Sequence, residues 1–266
     1  MTYGFIGLGN MASAIIHGMA RSGKFDNDTI LGFNRSQAKT LRLQTEAGLV
    51  LAQSAREVAE KSDVVVLAVK PQMMGDVLPL IAPVITPEKL VVSIAAGKPT
   101  SFYEAAFVPG VPVVRVMPNI NAKVLAATSG VCAGRWATAE HLATVKAMFA
   151  TVGGVYELTE AQFPAFSAIG GASGAFIHIY IDALASAGVK AGLPRPLAQD
   201  IAAQTVLGSA KLTLESDDHP IALCDQVCSP GGTTIEGVHT LKRLGFETAV
   251  QQAIEAIIEK DRKLAK

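Results

Sequence analysis

The stretch that most constrains this chain lies at its start. Tyr3-Gly4-Phe5-Ile6 is a short apolar run, Gly7-Leu8-Gly9-Asn10-Met11-Ala12 follows it, and a helix-like segment continues to about Ala20. Strand, glycine turn and helix in that order, spaced G-x-G-x-x-A, make a dinucleotide-binding fingerprint. Gly7 supplies the tight turn, and Gly9 has no Cβ, so backbone can approach a pyrophosphate. Ala12 is small enough for the helix to pack on the strand. The free amides and the positive end of the helix dipole then face the phosphates. Ile6, Gly7, Leu8, Gly9, Asn10 and Met11 are therefore the first candidates for cofactor contact.

The next strand selects the cofactor. Thr29 to Phe33 reads as β-structure and runs into Asn34-Arg35-Ser36. An NAD site puts a carboxylate near this position for the ribose 2′-hydroxyl. Here an amide, a guanidinium and a hydroxyl stand instead, partners for a 2′-phosphate, which the arginine fork binds in bidentate fashion. The reading is NADP, with NADPH preferred and use of NADH left open.

Further strands follow in alternation with helices. Val50 to Ala52 is a short strand, and Ser54-x-x-Glu57 fits a capping box. Asp63 to Val69 is a β-branched run with the pattern of a parallel strand buried on both faces. Ala68, Val69, Lys70 and Pro71 fall at its carboxyl end, the edge where open α/β sheets bind ligands. Leu90 to Ile94 and Val113 to Val116 are two more strands. Their ends, at Ala96 and at Met117-Pro118-Asn119, are natural walls for a nicotinamide. Thr128 to Cys132 and Gly154 to Glu157 read as added edge strands around a helix from Thr138 to Ala150.

From Glu160 the pattern turns helical: Gln162 to Lys190, Pro194 to Glu215, Ile221 to Val227, Gly232 to Leu244 and Glu247 to Lys263. Such a switch marks a domain boundary. The expected architecture is an α/β Rossmann domain over 1–160, with a mostly parallel doubly wound sheet, followed by an all-α domain over 161–266. Gly170-x-x-x-Gly174 gives the first long helix a small-residue face. Ser229-Pro230-Gly231-Gly232-Thr233-Thr234 opens a later helix, and two glycines with helix-terminal amides make an anion pocket the size of a carboxylate. An ordinary threonine-capped turn is the alternative on that stretch alone.

Composition narrows the partners. Lysine plus arginine balance aspartate plus glutamate at 23 each, so nothing points to nucleic acid or an anionic membrane surface. Charged residues make up 17%, below the usual ~25%, and mean hydropathy is +0.35. A chain this apolar is expected to bury surface in a subunit interface. Phe166 to Val189 is the nearest approach to a membrane span, but it contains His178, Asp182 and many small residues and reads as a buried helix. The three cysteines form no C-x-x-C and stand beside no ligand-spaced histidine, so no metal site is expected and a reduced, cytoplasmic setting fits. The chain enters a strand directly after Met1, so no targeting segment is expected.

Six blocks in order carry a resemblance to the pyrroline-5-carboxylate reductases. They are Phe5 to Met11, Leu67 to Gln72, Ser93 to Gly97, Arg115 to Asn119, Gln204 to Gly208 and Ser229 to Thr234. The resemblance implies NADPH-dependent reduction of L-1-pyrroline-5-carboxylate to L-proline, by hydride transfer to the C=N carbon, in the last step of proline biosynthesis. It implies a helical domain that dimerises and binds substrate, a homodimer often assembled into a decamer, and an active site at the dimer interface. It puts the substrate carboxylate on Ser229, Gly231, Gly232 and Thr233, and the Thr234 hydroxyl at the ring nitrogen. Glu160 matches a position near the substrate and Gln226 one near the cofactor. Three stretches depart from the family. Gly170-Gly171-Ala172-Ser173-Gly174-Ala175 stands where Ser-Gly-Ser-Gly-Pro-Ala is usual, which would relax a bend. Ala55 replaces a common Asn near the ribose, and Asn119-Ile120-Asn121 replaces Asn-Thr-Pro. Reduction of another cyclic imino acid, or a non-catalytic NADP-binding sensor, are the alternatives these departures raise.

Overall fold

Strands that are apolar at every position need cover on both faces, and this chain supplies it with helices on either side of one sheet. The computed structural model describes residues 1–35 and 40–264. Among them the strands are β1 (Thr2–Ile6), β2 (Thr29–Phe33), β3 (Val50–Leu51), β4 (Val64–Leu67), β5 (Leu90–Ser93), β6 (Val113–Met117), β7 (Ala127–Ala133) and β8 (Gly153–Glu157). They form one sheet in the order β3-β2-β1-β4-β5-β6-β7-β8. Strands β1 to β6 pair in parallel, β7 runs antiparallel to β6, and β8 lies parallel to β7. The order of the first six is the doubly wound Rossmann arrangement, which reverses between β1 and β4; ligands of such sheets bind at that reversal.

The pleat divides the core in two. Val64, Val66, Val92 and Val114 face one way, where they meet Ala12, Ile15, Ile16 and Met19 of α1 (Asn10–Arg21), Leu43 of α2 (Thr40–Ala47) and Val145, Met148 and Phe149 of a helix farther along the chain. Val65, Leu67, Val91 and Val113 face the other way, onto Val58 and Ala59 of α3 (Ala55–Lys61), Met74, Val77 and Ile81 of α4 (Met74–Ile81) and Tyr103 of α5 (Thr100–Glu104). The helix carrying Phe149 is α6 (Ala139–Phe149). The expected capping box at Ser54 forms in altered shape. Ser54 Oγ accepts from Glu57 N–H at 3.1 Å, whereas the Glu57 carboxylate reaches the N–H of Gln53, one residue earlier.

By contacts the chain divides into two compact units, one of Met1–Gly171 with the end of the last helix from Lys260, the other Ala172–Glu259. The segment leading across is not the uninterrupted helix expected from Gln162 to Lys190. A 3-10 turn (Glu160–Gln162) leads into α7 (Phe163–Phe166), a π-helical turn (Ser167–Ala172) and then α8 (Gly174–Lys190). Adjacent glycines hold α geometry weakly, and a π-turn accommodates an extra residue where neighbours demand it.

In the second unit α8 is followed by α9 (Arg195–Glu215), α10 (Pro220–Val227), α11 (Thr233–Arg243) and α12 (Phe246–Leu264). Its buried core is only Ala185, Ala198 and Ala202, with Ile181 and Val189 at the margin. Large side chains stay open, among them Ile179 at 70%, Leu207 at 61% and Leu214 at 79% exposure. The expectation of a buried helix over Phe166 to Val189 therefore fails within one chain, where only Ala168 and Ala185 of that stretch are buried. The stretch Glu160–Lys190 is long and apolar enough to cross a membrane by composition. Among the described residues nothing covers this apolar layer, and patches of this kind mark interaction surfaces.

Candidate functional site

The glycine turn sits at the carboxyl ends of β1 and β4. Gly7 has φ +97°, and a Cβ there would lie 2.8 Å from the Ala68 carbonyl oxygen, so both conformation and space require glycine. Its N–H donates to Phe33 O at 2.9 Å, and Ala68 N–H donates to Ile6 O at 2.9 Å, which locks β1, β2 and β4 at their ends. Gly9 differs: its φ is −73° and a Cβ would meet nothing within 4 Å. As N-cap of α1 it offers no side chain to the first helical amides. Open space before an uncapped helix start is the cradle a pyrophosphate needs.

The other expected cofactor residues of the first unit lie at or follow the carboxyl ends of strands in the same sheet. Leu8 is buried, Asn10 exposed and Met11 half-buried. Asn34 has a structural partner, since its Oδ1 accepts from Leu8 N–H at 3.3 Å and holds the turn to the end of β2. Arg35 is exposed just beyond it, and Ser36 lies outside the described residues. Ala68 and Val69 are half-buried at the end of β4, and exposed Lys70 opens the 3-10 turn Pro71–Met73. Ala96 is exposed past β5, and Met117 is half-buried at the end of β6. The Asn119 amide is engaged: it donates to Gly170 O at 2.7 Å and accepts from the N–H of Thr128 and of Asn121, each at 3.2 Å.

Glu160 is likewise occupied. One carboxylate oxygen lies 2.7 Å from Arg115 Nη1 and the other accepts from Thr100 N–H at 2.8 Å. The guanidinium also lies over the Phe163 ring, 3.9 Å from its centre. Local sequence shows little of this, although a lone arginine inside the apolar strand Val113–Met117 signals a need for a buried acid. The same patch perturbs two neighbours. Burial pushes the Tyr103 hydroxyl and the Cys132 thiol up, and the Glu160 charge adds to both shifts, while Arg115 opposes them.

In the second unit Ser229 to Thr234 forms a turn and a helix start. Gly232 N–H donates to Ser229 O at 3.0 Å across Pro230-Gly231, with Gly231 at φ +66°, the pattern of a type II turn. Gly232 is the N-cap of α11 and offers no side-chain cap, while Ser229, Thr233 and Thr234 stand exposed. This turn thus repeats the feature of Gly9, an uncapped helix start led by glycine. Gln226 donates from Nε2 to Asp218 Oδ2 at 2.9 Å, an engagement within its own unit. No group of three or more His, Cys, Asp or Glu at metal-binding geometry occurs among the described residues.

Comparison with known proteins bears on both units. Residues 160–264 match the family described as "Pyrroline-5-carboxylate reductase dimerisation" and residues 2–97 the one described as "NADP oxidoreductase coenzyme F420-dependent". The chain is 40% identical over 263 residues to a pyrroline-5-carboxylate reductase of Methanosarcina acetivorans, covering 99% of this chain and 97% of that one. It is also 40% identical over 263 residues to that of Escherichia coli, covering 99% and 98%. Among solved structures, a pyrroline-5-carboxylate reductase from Coxiella burnetii superposes with a TM-score of 0.94 at 31% identity, covering 99% of this chain and 98% of that one. A Plasmodium falciparum pyrroline carboxylate reductase with NADP bound gives 0.84 at 31% identity, covering 100% and 98%. With such identity running through both units, the chain belongs to the pyrroline-5-carboxylate reductase family.

Proposed function

We propose that this chain reduces L-1-pyrroline-5-carboxylate to L-proline with NADPH, the last step of proline biosynthesis. The observation that carries the reading is the pair of glycine-led, uncapped helix starts, one at Gly9 and one at Gly232, in a chain of this family. Each leaves backbone amides for an anion without calling on a cation.

The residues present fit the cofactor. Ile6 to Met11 would hold the pyrophosphate, with Gly9 leaving the space. Asn34, Arg35 and Ser36 would take the 2′-phosphate, Asn34 as the post that orients the loop. Ala68, Val69, Lys70 and Pro71 border the middle of the dinucleotide, and Ala96, Met117 and Asn119 the nicotinamide, with Gln226 a further cofactor contact. NADPH, when bound, supplies the hydride.

Ser229, Gly231, Gly232 and Thr233 would bind the substrate carboxylate, and Thr234 would hold the ring nitrogen through its hydroxyl. A protonated C=N carbon already accepts a hydride readily, so placement is the main task of the protein, and proximity can supply up to ~7–11 kcal/mol. The engagement of Glu160 by Arg115 and Thr100 fits a role in shaping the site rather than in touching the substrate. The open apolar helices of the second unit fit a homodimer, with a decamer as the larger assembly, and the free cysteines fit the cytoplasm.

Steady-state oxidation of NADPH with pyrroline-5-carboxylate tests the reading, and turnover is expected. Turnover restricted to six-membered imino acids would redirect the assignment, and NADPH binding with no turnover would make the chain a sensor. Light scattering on the eluting protein reads the assembly, and a monomer would refute the dimer.

A further inference from the structure

One side chain ties the carboxyl end of β6 to the π-turn. Asn119 Nδ2 donates to Gly170 O at 2.7 Å, while Oδ1 accepts from the N–H groups of Thr128 and Asn121. A single amide so joins the end of β6, the start of β7 and Ser167–Ala172. Few side chains both donate and accept from so short a stem; aspartate keeps only the accepting half.

The turn that it holds is tightly enclosed. A Cβ on Gly170 would lie 2.9 Å from the Phe166 ring and 3.3 Å from Thr128 Cγ2. A Cβ on Gly171 would lie 3.0 Å from Met117 Cε. Met117 ends β6 and borders the nicotinamide in the reading above. A π-turn carries an extra residue, so relaxation to a plain α-helix would slide its side chains by about 1.5 Å along the axis and rotate them by roughly 100°. Gly171 would then leave Met117.

We propose that Asn119 is a positioning residue for imine reduction, one that fixes the π-turn against Met117 and so sets the shape of the wall beside the nicotinamide and the ring size that fits there. The inference rests on the reductase reading, and its test separates the two. Asn119→Asp keeps both accepted bonds and removes the donated one. The variant is expected to lose about tenfold in kcat, a larger change than in KM for NADPH. The preference for a five-membered over a six-membered imino acid is expected to shrink, and Tm to move little. Gly170→Ala leaves Asn119 intact, displaces the same turn by steric contact, and is expected to give the same kcat and ring-size pattern. Amide exchange across residues 167–173 is expected to quicken in Asn119→Asp.

An inactive wild type would overturn the reductase reading, and the exchange data would still report whether Asn119 holds the turn. An active wild type with unaltered kcat, ring preference and exchange in Asn119→Asp would overturn this proposal alone. A kcat loss matched by an equal loss of folded protein would do the same.

Discussion

Arg115 and Glu160 stand 45 residues apart in the chain and 2.7 Å apart in space. The arginine side chain is 11% exposed and the glutamate 33%. The pair joins β6 to the entrance of the helical segment, and Thr100 N–H completes the hold on the carboxylate. Removing Arg115 leaves a partly buried charge without its partner. Arg115→Ala is therefore expected to cost about 3 kcal/mol of stability, with Glu160→Gln costing less. Urea midpoints measure this. An unchanged midpoint with lost activity in Glu160→Gln would instead make the carboxylate a substrate contact.

Two glycines of the same turn should fail differently. Gly7→Ala meets a positive φ and the Ala68 carbonyl, and is expected to destabilise the fold by about 2–4 kcal/mol. Gly9→Ala meets neither, so Tm should hold while NADPH affinity falls by about tenfold or more. Calorimetry and NADPH titration on both variants check the contrast, and unchanged affinity in Gly9→Ala would remove the pyrophosphate from this turn.

Arg35 is exposed beside the glycine turn, where a 2′-phosphate would lie. Arg35→Ala is expected to raise KM for NADPH far more than KM for NADH. Equal effects on the two cofactors would undo the assignment.

Thr234 lies in the first turn of α11 and is exposed. Thr234→Ala is expected to lower kcat/KM for pyrroline-5-carboxylate by more than tenfold, about 1.4 kcal/mol, without weakening NADPH binding. An unaltered rate would take the hydroxyl out of the mechanism.

Alkaline pH should weaken the first unit. Burial raises Cys132 from an ordinary 9.0 and Tyr103 from an ordinary 10.0. The unfolded chain then loses these protons first, so between the unfolded and folded values the native state binds more protons and stability falls as pH rises. Urea midpoints should decline above pH ~9, where unfolded thiols ionise. Cys132→Ala should flatten the first part of that decline; an identical profile in the variant would assign it elsewhere, for instance to the Met1 amine beside Asp28.

Much of the fold could be read from local pattern. Each expected strand forms, because β-branched runs such as Val64–Leu67 suit a sheet covered on both faces. The glycine turn could be read because the strand, the G-x-G-x-x-A spacing and the helix that follows lie within one short stretch, although the Ala68 carbonyl that also demands glycine at Gly7 comes from the end of β4. The hydrogen-bond partners of the Glu160, Asn34, Asn119 and Gln226 side chains could not. Each side chain bonds a group that lies from 8 to 51 residues away in the chain, and no period or spacing records such a meeting.

The long helix shows the same division. Its apolar, small-residue character follows from residue types, but its π-turn lies where Asn119 and Met117, some fifty residues earlier, meet Gly170 and Gly171. Strand and helix periods, glycine turns and cap residues express energies within one turn or strand, so sequence alone specifies them. Which polar groups remain available for a ligand depends on desolvation and on partners brought together by chain closure, and only the folded sheet with its helices settles that.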